Sequence, residues 1–189
     1  MTVADEIGPL LSRASDRPST PWKNGGGSTS EIASSPAGSG IDDFDWRVSI
    51  ATIDGDSEFS RFDGVDRWLM PLTPDGLTLV DNGVTRSLAQ FDVQAFSGES
   101  PVSAIEVSAE SRDLNLMVRR GIRSGSLEKR SVAGSAVLTT DDETELIVVV
   151  LDGALNLPDR MVAGDALVLG PDDFLMLSGT ATIAVATVS

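Results

Sequence analysis

Short apolar runs separated by turn-forming residues are the feature that most limits the fold of this chain. Runs rich in Val, Ile and Leu alternate along the 189 residues with clusters of Gly, Asp, Asn and Pro. This spacing is typical of all-β sandwiches and barrels. We predict strands at 46–53, 67–72, 76–81, 84–89, 93–98, 102–108, 112–120, 144–153, 165–170 and 181–189. Little helix is expected, with at most one or two turns within residues 4–16, and Asn82-Gly83 predicts a tight hairpin.

A weak internal repeat suggests two similar halves. The segment GVDRWLMPLTPDGLTLVDNG resembles ELIVVVLDGALNLPDRMVAGDALVLG, and both are interpreted as strand, glycine turn, strand and second turn. The second segment has the turn pattern of a cupin-type barrel half. We therefore expect one compact double barrel, with an N-terminal half at residues 1–120 and a C-terminal half at residues 121–189.

Two absent residue types exclude several classes of chemistry. The chain has neither histidine nor cysteine, so the usual zinc sites, histidine-based triads and disulfides are excluded. The net charge of −15 disfavours nucleic acid as a partner, because such a surface repels phosphates. The strongly apolar run at residues 146–151 is far too short to span a membrane. With no secretory signal visible, a cytoplasmic location is expected.

Three consecutive glycines stand in the stretch TPWKNGGGSTSEIASSP, residues 20–36. A phosphate-binding loop needs its glycines before a lysine that opens a helix. Here Lys23 and Asn24 precede the glycines, and no helical period follows them. We therefore expect unusual backbone angles or a close approach of two chain segments, as in a β-bulge, followed by a strand with Thr29 and Glu31 on one face.

Two predicted strands carry arginine beside small or polar residues on one face. In WRVSIATI, Arg47 and Ser49 alternate with bulky apolar residues, and in RDLNLMVRR the same holds for Asp113, Asn115, Met117 and Arg119. Such faces often point to solvent. The interior of a barrel that holds a small ligand has the same composition.

Arg67 follows Asp66, which leaves two interpretations open. The pair can form a surface salt bridge worth at most about 1 kcal/mol. Alternatively, Arg67 points into the mouth of a pocket and holds a carboxylate with a bidentate fork. Trp22, next to the glycines, is expected at the rim of that pocket.

Four segments resemble the HutD/Ves family in their order and approximate spacing. They are PWKNGGGSTSEIA, DDFDWRVSIATI, FSRFDGVDRWL and RDLNLMVRRG, and they span residues 21–121. The resemblance implies an all-β bicupin, a double barrel of the RmlC-like jelly-roll type, without the usual metal-binding histidines. It also implies a link to bacterial histidine utilisation, in which members are thought to limit pathway expression by binding an intermediate such as urocanate or formylglutamate.

We therefore expect a non-catalytic bicupin that binds a small carboxylate in its N-terminal half. The candidate ligand-binding residues are Trp22, Lys23, Asn24, Glu31, Arg47, Ser49, Arg67, Phe96, Asn115, Met117 and Arg119. The arginines would hold the charge, while Met117, Phe96 and Trp22 would shield these contacts from water. No catalytic residue, metal, cofactor, nucleic acid or membrane is expected.

Two alternatives remain open. A metal-independent isomerase or lyase on the same scaffold would use Lys23 and Glu31 as acid and base. An interaction module would have a vestigial pocket and would form a homodimer through its barrel edges.

Overall fold

The computed structural model describes residues 9–22, 25–157 and 159–189. Within these ranges the regular structure is β-strand apart from one 3-10 helix at Ala14–Asp16, so the predicted all-β class is confirmed. The strands are β1 Leu10–Ser12, β2 Ser19–Pro21, β3 Gly27–Ser35, β4 Trp46–Ile53, β5 Ser57–Glu58, β6 Val65–Pro71, β7 Leu77–Asp81, β8 Val84–Leu88, β9 Gln94–Ser97, β10 Val102–Ile105, β11 Ser111–Arg119, β12 Gly125–Thr139, β13 Glu145–Asn156, β14 Arg160–Val162, β15 Ala166–Leu169 and β16 Phe174–Val188. In these ranges no helix has the length and apolar character that a membrane span requires.

Each predicted strand coincides with an observed one. Strand β4 has the predicted bounds, whereas β16 begins earlier than expected, at Phe174. The predicted hairpin joins β7 to β8, with Asp81 opposite Val84. Asn82 and Gly83 have φ angles of 49° and 79°, as a two-residue turn between twisted strands requires.

Strands β1 and β12 are among those that were not predicted. Within residues 4–16, the expected helical turn is the 3-10 helix at Ala14–Asp16, whereas Leu10–Ser12 form strand β1 because they pair with Ala166–Val168 of β15. Residues 4–8 lie outside the described ranges. Strand β12 was not predicted at all. Its residues are mostly exposed, and buried apolar side chains occur only at Leu127, Val132 and Leu138, so its sequence has no regular alternation.

The chain groups into two compact units. The N-terminal unit comprises Arg17–Leu127, and the C-terminal unit combines Glu128–Ser189 with the described residues before Arg17. The predicted division into halves 1–120 and 121–189 stays a prediction.

The C-terminal unit contains a six-stranded antiparallel sheet. Its order is β1-β15-β13-β16-β12, and β14 pairs with β13. Its buried hydrophobic cluster consists of aliphatic, Met and Ala side chains, including Val148, Val150, Leu155, Met161 and Ile183. The interior of this unit is therefore an apolar core.

The N-terminal unit contains two antiparallel sheets. The six-stranded sheet has the order β2-β3-β4-β11-β6-β9, and the four-stranded sheet has the order β5-β10-β7-β8. One apolar cluster draws Ile53, Leu69 and Phe96 from the first sheet and residues such as Leu79 and Val102 from the second. The two sheets therefore face each other across this cluster.

Candidate functional site

One face of the six-stranded sheet in the N-terminal unit aligns several predicted site residues in a row. Strand β11 lies between β4 and β6, and its Met117 is opposite both Arg47 and Arg67. Arg67 is in turn opposite Phe96 on β9. Directly opposite residues in antiparallel strands project from the same face. We call this side of the sheet, with its rows through Arg67 and Asn115, the polar face.

A second row lies two residues further along the strands. Asn115 is opposite Ser49 on β4 and Leu69 on β6, and Ser49 is opposite Glu31 on β3. The alternation predicted for β4 and β11 is therefore confirmed. Because Leu69 and Phe96 of this face pack into the apolar cluster shared with the four-stranded sheet, the polar face points between the two sheets.

Arg67 is buried at the centre of the polar face, with 7% of its surface exposed. Its Nη1 donates to the carbonyl of Ser60 at 3.2 Å, and its Nη2 donates to Asn115 Oδ1 at 3.2 Å. Its Nε is buried without a hydrogen-bond partner. Asp66 binds Arg120 at 2.7 Å. Arg67 therefore points inward and keeps an unused donor.

Three phenylalanine rings surround the guanidinium of Arg67. Its central carbon lies 5.0 Å from the ring centre of Phe96, 5.4 Å from that of Phe62 and 5.7 Å from that of Phe59. Cations are attracted to such rings at these distances. Burial lowers the pKa of Arg67 to about 10, with the charge of Asp113 opposing the change and that of Arg47 adding to it. The side chain remains a cation at neutral pH.

Asp113 occupies the third row of the polar face and has no exposed surface. Asn115 Nδ2 donates to its Oδ1, but its Oδ2 is buried without a partner. Burial raises the pKa of Asp113 to about 7, although the charge of Arg67 and the Asn115 hydrogen bond both act to lower it. Arg67, Asn115 and Asp113 form one connected network with an unpaired atom at each end.

Arg47 and Glu31 form an ion pair at the more accessible side of the polar face. Arg47 Nε lies 2.6 Å from Glu31 Oε2, and the two side chains are 15% and 36% exposed. Ser34 Oγ donates to Glu31 Oε1 at 2.9 Å. Strand β3 has an irregular register between Glu31 and Ala33, so the bulge falls beyond the glycines. Solvent reaches this pair more readily than it reaches Arg67, which is 7% exposed.

The glycine triplet brings two strands close together beside Trp22. A Cβ on Gly27 would lie 2.2 Å from the carbonyl oxygen of Thr52 and 3.3 Å from the Trp22 ring. Gly25 has a φ of +74°, which favours glycine. Trp22 donates through Nε1 to Thr29 Oγ1 at 2.7 Å and packs against the apolar cluster. The predicted close approach is confirmed.

The predicted site residues that remain are Arg119, Met117, Lys23 and Asn24. Arg119 is at the end of β11, where it donates to the carbonyls of Phe44 at 3.0 Å and Asp42 at 2.8 Å. These hydrogen bonds hold the segment that contains Asp42 and Phe44 against the end of β11. Met117 packs with Phe44 in a small buried cluster. Lys23 and Asn24 lie outside the described residues.

Sequence reasoning left Asp113 and two of the aromatic neighbours of Arg67 out of the candidate site. Asp113 lies on the same face as Asn115 by strand alternation, which is the signal that could have included it. Phe59 and Phe62 precede β6 in an irregular segment, so no periodic pattern pointed to them. Among the described residues, no group of three or more acidic side chains could hold a metal ion. The cationic side chains of Arg67 and Arg47 on the polar face are suited to holding an anion.

The sequence is similar to curated bacterial proteins. The HutD family model matches residues 14–188. An uncharacterized 21.2 kDa protein in the hutC 3′ region of Pseudomonas putida is 48% identical over 108 residues, which are 57% of this chain and 56% of the relative. The match therefore spans little more than half of that relative's length. Protein Ves of Citrobacter koseri is 34% identical over 147 residues, which are 76% of this chain and 73% of Ves.

A solved structure has the same fold. HutD from Pseudomonas fluorescens SBW25 superimposes with a TM-score of 0.81 at 30% identity, covering 96% of this chain and 98% of that protein. This likeness over almost the whole chain confirms the double-barrel class. Since the family model covers most of the sequence and the Ves and HutD relatives are at least 30% identical, the chain belongs to the HutD/Ves family of cupin-like proteins.

Proposed function

We propose that this protein is a non-catalytic binding protein for a small carboxylate, held on the polar face of the N-terminal unit. The observation that carries the proposal is Arg67, a buried cation with an unpaired Nε. A guanidinium has five N–H donors, and Ser60 and Asn115 account for the two hydrogen bonds described above. A carboxylate can accept from the remaining donors and adds a negative charge beside this cation.

The neighbours of Arg67 fit the same ligand. Arg47 is the second cation of the polar face and is partly accessible, because its ion pair with Glu31 meets solvent. Asn115 and Ser49 offer hydrogen bonds in the adjoining row. Phe96 and Met117 are both buried, so they exclude water from a bound anion and strengthen its electrostatic contacts. Trp22, Lys23 and Asn24 are retained as proposed contacts at the rim.

The relatives favour an intermediate of histidine degradation as the ligand. The Pseudomonas putida relative is described by its position in the hutC 3′ region, and the HutD structure was obtained in a formate condition. Formate is the simplest carboxylate. We therefore extend the proposal to urocanate or formylglutamate as ligand, with binding used to limit expression of the pathway.

The enzymatic alternative gains no specific support from the contacts of Glu31. Both of its carboxylate oxygens are engaged, one by Arg47 at 2.6 Å and the other by Ser34 at 2.9 Å. A general base must reach the proton that it abstracts, and Lys23, the other member of the predicted acid–base pair, lies outside the described residues. The proposal therefore stays with binding, and the homodimer and the cytoplasmic location stay predictions.

A ligand panel with matched variants tests the proposal. Urocanate, formylglutamate and glutarate are titrated into the protein by calorimetry, and the same mixtures are followed by NMR for turnover. Arg67→Lys keeps the positive charge near Asp113 but loses the fork, so we expect at least about tenfold weaker binding. Arg112→Lys is the matched control, because Arg112 is exposed on the same strand but on the opposite face.

The outcomes are distinct. Binding that weakens in Arg67→Lys and is unchanged in Arg112→Lys supports the proposal. Absence of binding by wild-type protein across the acids contradicts it. Turnover of a bound acid would replace the non-catalytic assignment with the isomerase or lyase alternative.

A further inference from the structure

Two buried polar atoms of the polar face lack hydrogen-bond partners, and they are of opposite kinds. Arg67 Nε is a donor, and Asp113 Oδ2 is an acceptor. Arg67 is 7% exposed and Asp113 is 0% exposed. Buried polar atoms in proteins are almost always hydrogen-bonded, so each exception requires an explanation. A ligand that brings both an acceptor and a donor would satisfy the two atoms together.

The two atoms belong to one network on one face of the sheet. Asn115 accepts from Arg67 Nη2 at 3.2 Å and donates to Asp113 Oδ1. Asp113 and Asn115 are two residues apart on β11, and the next residue of that face, Met117, is opposite Arg67. Arg67 and Asp113 therefore lie two rows apart on the polar face, with Asn115 between them.

Charge favours a hydrogen-bond donor on the ligand. The proposed ligand is an anion, and Asp113 is a second carboxyl group whose one described donor is the amide of Asn115. Two carboxylates that share a site repel each other, so one of them must be protonated or a hydrogen must lie between them. An N–H or O–H group on the ligand, directed at Oδ2, supplies that hydrogen without protonating Asp113.

We propose that the ligand is a carboxylic acid with an N–H or O–H donor beside its carboxylate, and that Asp113 Oδ2 accepts this donor while Arg67 holds the carboxylate. This inference rests on the proposed function, because it assigns a second recognition element to the same site. It places hydroxy acids and N-acylamino acids above acids whose polar groups are carboxylates alone.

Matched ligands test the inference on wild-type protein by calorimetry at pH 8. Glutarate lacks the donor, 2-hydroxyglutarate has an O–H, and 2-methoxyglutarate keeps the oxygen but loses the hydrogen. N-formylglutamate and N-formyl-N-methylglutamate make the same comparison for an N–H. In at least one of the two series, we expect the ligand that bears the O–H or N–H to bind about tenfold or more tightly than its counterpart without that hydrogen. Hydrogen bonds to a charged, buried acceptor are among the stronger ones.

A variant of the acceptor completes the test. Asp113→Asn has nearly the same shape, but it replaces a carboxylate oxygen with an amide nitrogen, which donates. We expect the preference for the donor-bearing ligand to fall to within about twofold. Asp75→Asn is the control, since Asp75 is exposed in the same unit.

The results separate the two proposals. If wild-type protein binds the acids with and without the donor hydrogen equally, the inference is overturned and the carboxylate site stands. A preference that survives in Asp113→Asn also overturns it. If none of these acids binds wild-type protein, both proposals fail. Should Asp113→Asn not fold, the ligand comparison on wild-type protein still decides.

Discussion

Among the described residues, each of the two units buries one aspartate, and the two carboxylates differ in how fully they are hydrogen-bonded. Asp165 of the C-terminal unit is 4% exposed, and Asp113 of the N-terminal unit is 0% exposed. Asp165 accepts from Arg13 Nη1 at 2.8 Å, from the amide of Ala14 at 3.0 Å and from the amide of Val162 at 3.1 Å. Asp113 accepts from Asn115 and keeps one oxygen unpaired.

Their pKa values move in opposite directions as a result. Burial acts to raise the pKa of Asp165, but the hydrogen bonds from Ala14, Val162 and Arg13 outweigh it and hold that pKa below its ordinary value. Burial prevails at Asp113 and raises its pKa to about 7. Burial alone thus does not identify a functional carboxylate. We propose the unpaired oxygen as the better indicator, because a carboxylate that only holds the fold together is expected to have its donors supplied by the chain.

Asp165→Ala should have the largest effect on stability. The substitution leaves the backbone amides of Ala14 and Val162 without their acceptor and removes the ion pair of Arg13, which keeps its bond to the carbonyl of Arg160 and a distant Asp159. It also releases the turn before β15 from the segment that follows β1. We expect a loss of about 3 kcal/mol in the free energy of unfolding. Urea denaturation followed by circular dichroism measures it, since all three tryptophans, Trp22, Trp46 and Trp68, lie in the other unit.

Asp159→Ala is the matched control for this loss. Asp159 lies 4.0 Å from the same arginine but is 74% exposed, so we expect a change below about 0.5 kcal/mol. Similar losses in the two variants would show that Asp165 acts only as a nearby charge, and the contrast with Asp113 would disappear.

Asp113→Asn should remove a pH dependence that Asp165 does not share. Because the folded-state pKa of Asp113 is about 7 against an ordinary value of 3.8, the folded protein binds more protons than the unfolded chain between these values. Stability contributed by this group is therefore present below pH 4 and is lost as the pH rises to about 7. The loss is at most about 1.4 kcal/mol per pH unit.

Tryptophan fluorescence can follow this prediction, because it reports on the N-terminal unit. Urea denaturation is measured from pH 5 to pH 8 for wild type and for Asp113→Asn. We expect the variant to gain stability relative to wild type as the pH rises. If the stabilities of wild type and variant changed with pH in parallel, Asp113 would be ionised throughout this range. That result would contradict the description of Asp113 as a buried carboxylate that lacks hydrogen-bond donors.

Strands with a buried face could be predicted from local sequence patterns, whereas an edge strand such as β12 could not. Strand β4 was predicted with its observed bounds because bulky residues alternate with small ones. Strand β12 was not predicted, because an edge strand with few buried positions does not need alternating apolar and polar residues. The irregular register at Ile32 was also not predictable, since it depends on how β3 lies against β4.

For the candidate site, the two aspartates show the same limit of prediction from sequence. Alternation alone places Asp113 beside Asn115 on the polar face, but its complete burial depends on the four-stranded sheet, which packs from elsewhere in the chain. The donors of Asp165 include Arg13, which is 152 residues away in sequence. No local motif can reveal such a partner. Sequence can therefore list the polar side chains of a barrel, and the three-dimensional structure is needed to show which atoms lack partners.

The ion pair of Arg47 and Glu31 has the smallest expected effect on stability, and the Glu31 carboxylate differs from those of both Asp165 and Asp113. Glu31 is paired but 36% exposed, so solvent weakens the attraction. A double-mutant cycle with Arg47→Met and Glu31→Gln should give a coupling energy below about 1 kcal/mol by urea denaturation. The corresponding cycle for Arg13 and Asp165 should give a larger value, because Asp165 is buried. A weakly coupled pair lets Arg47 leave Glu31 for an incoming carboxylate at little cost. Coupling as strong as that of Arg13 with Asp165 would instead mark Arg47 as structural and would leave Arg67 to hold the ligand alone.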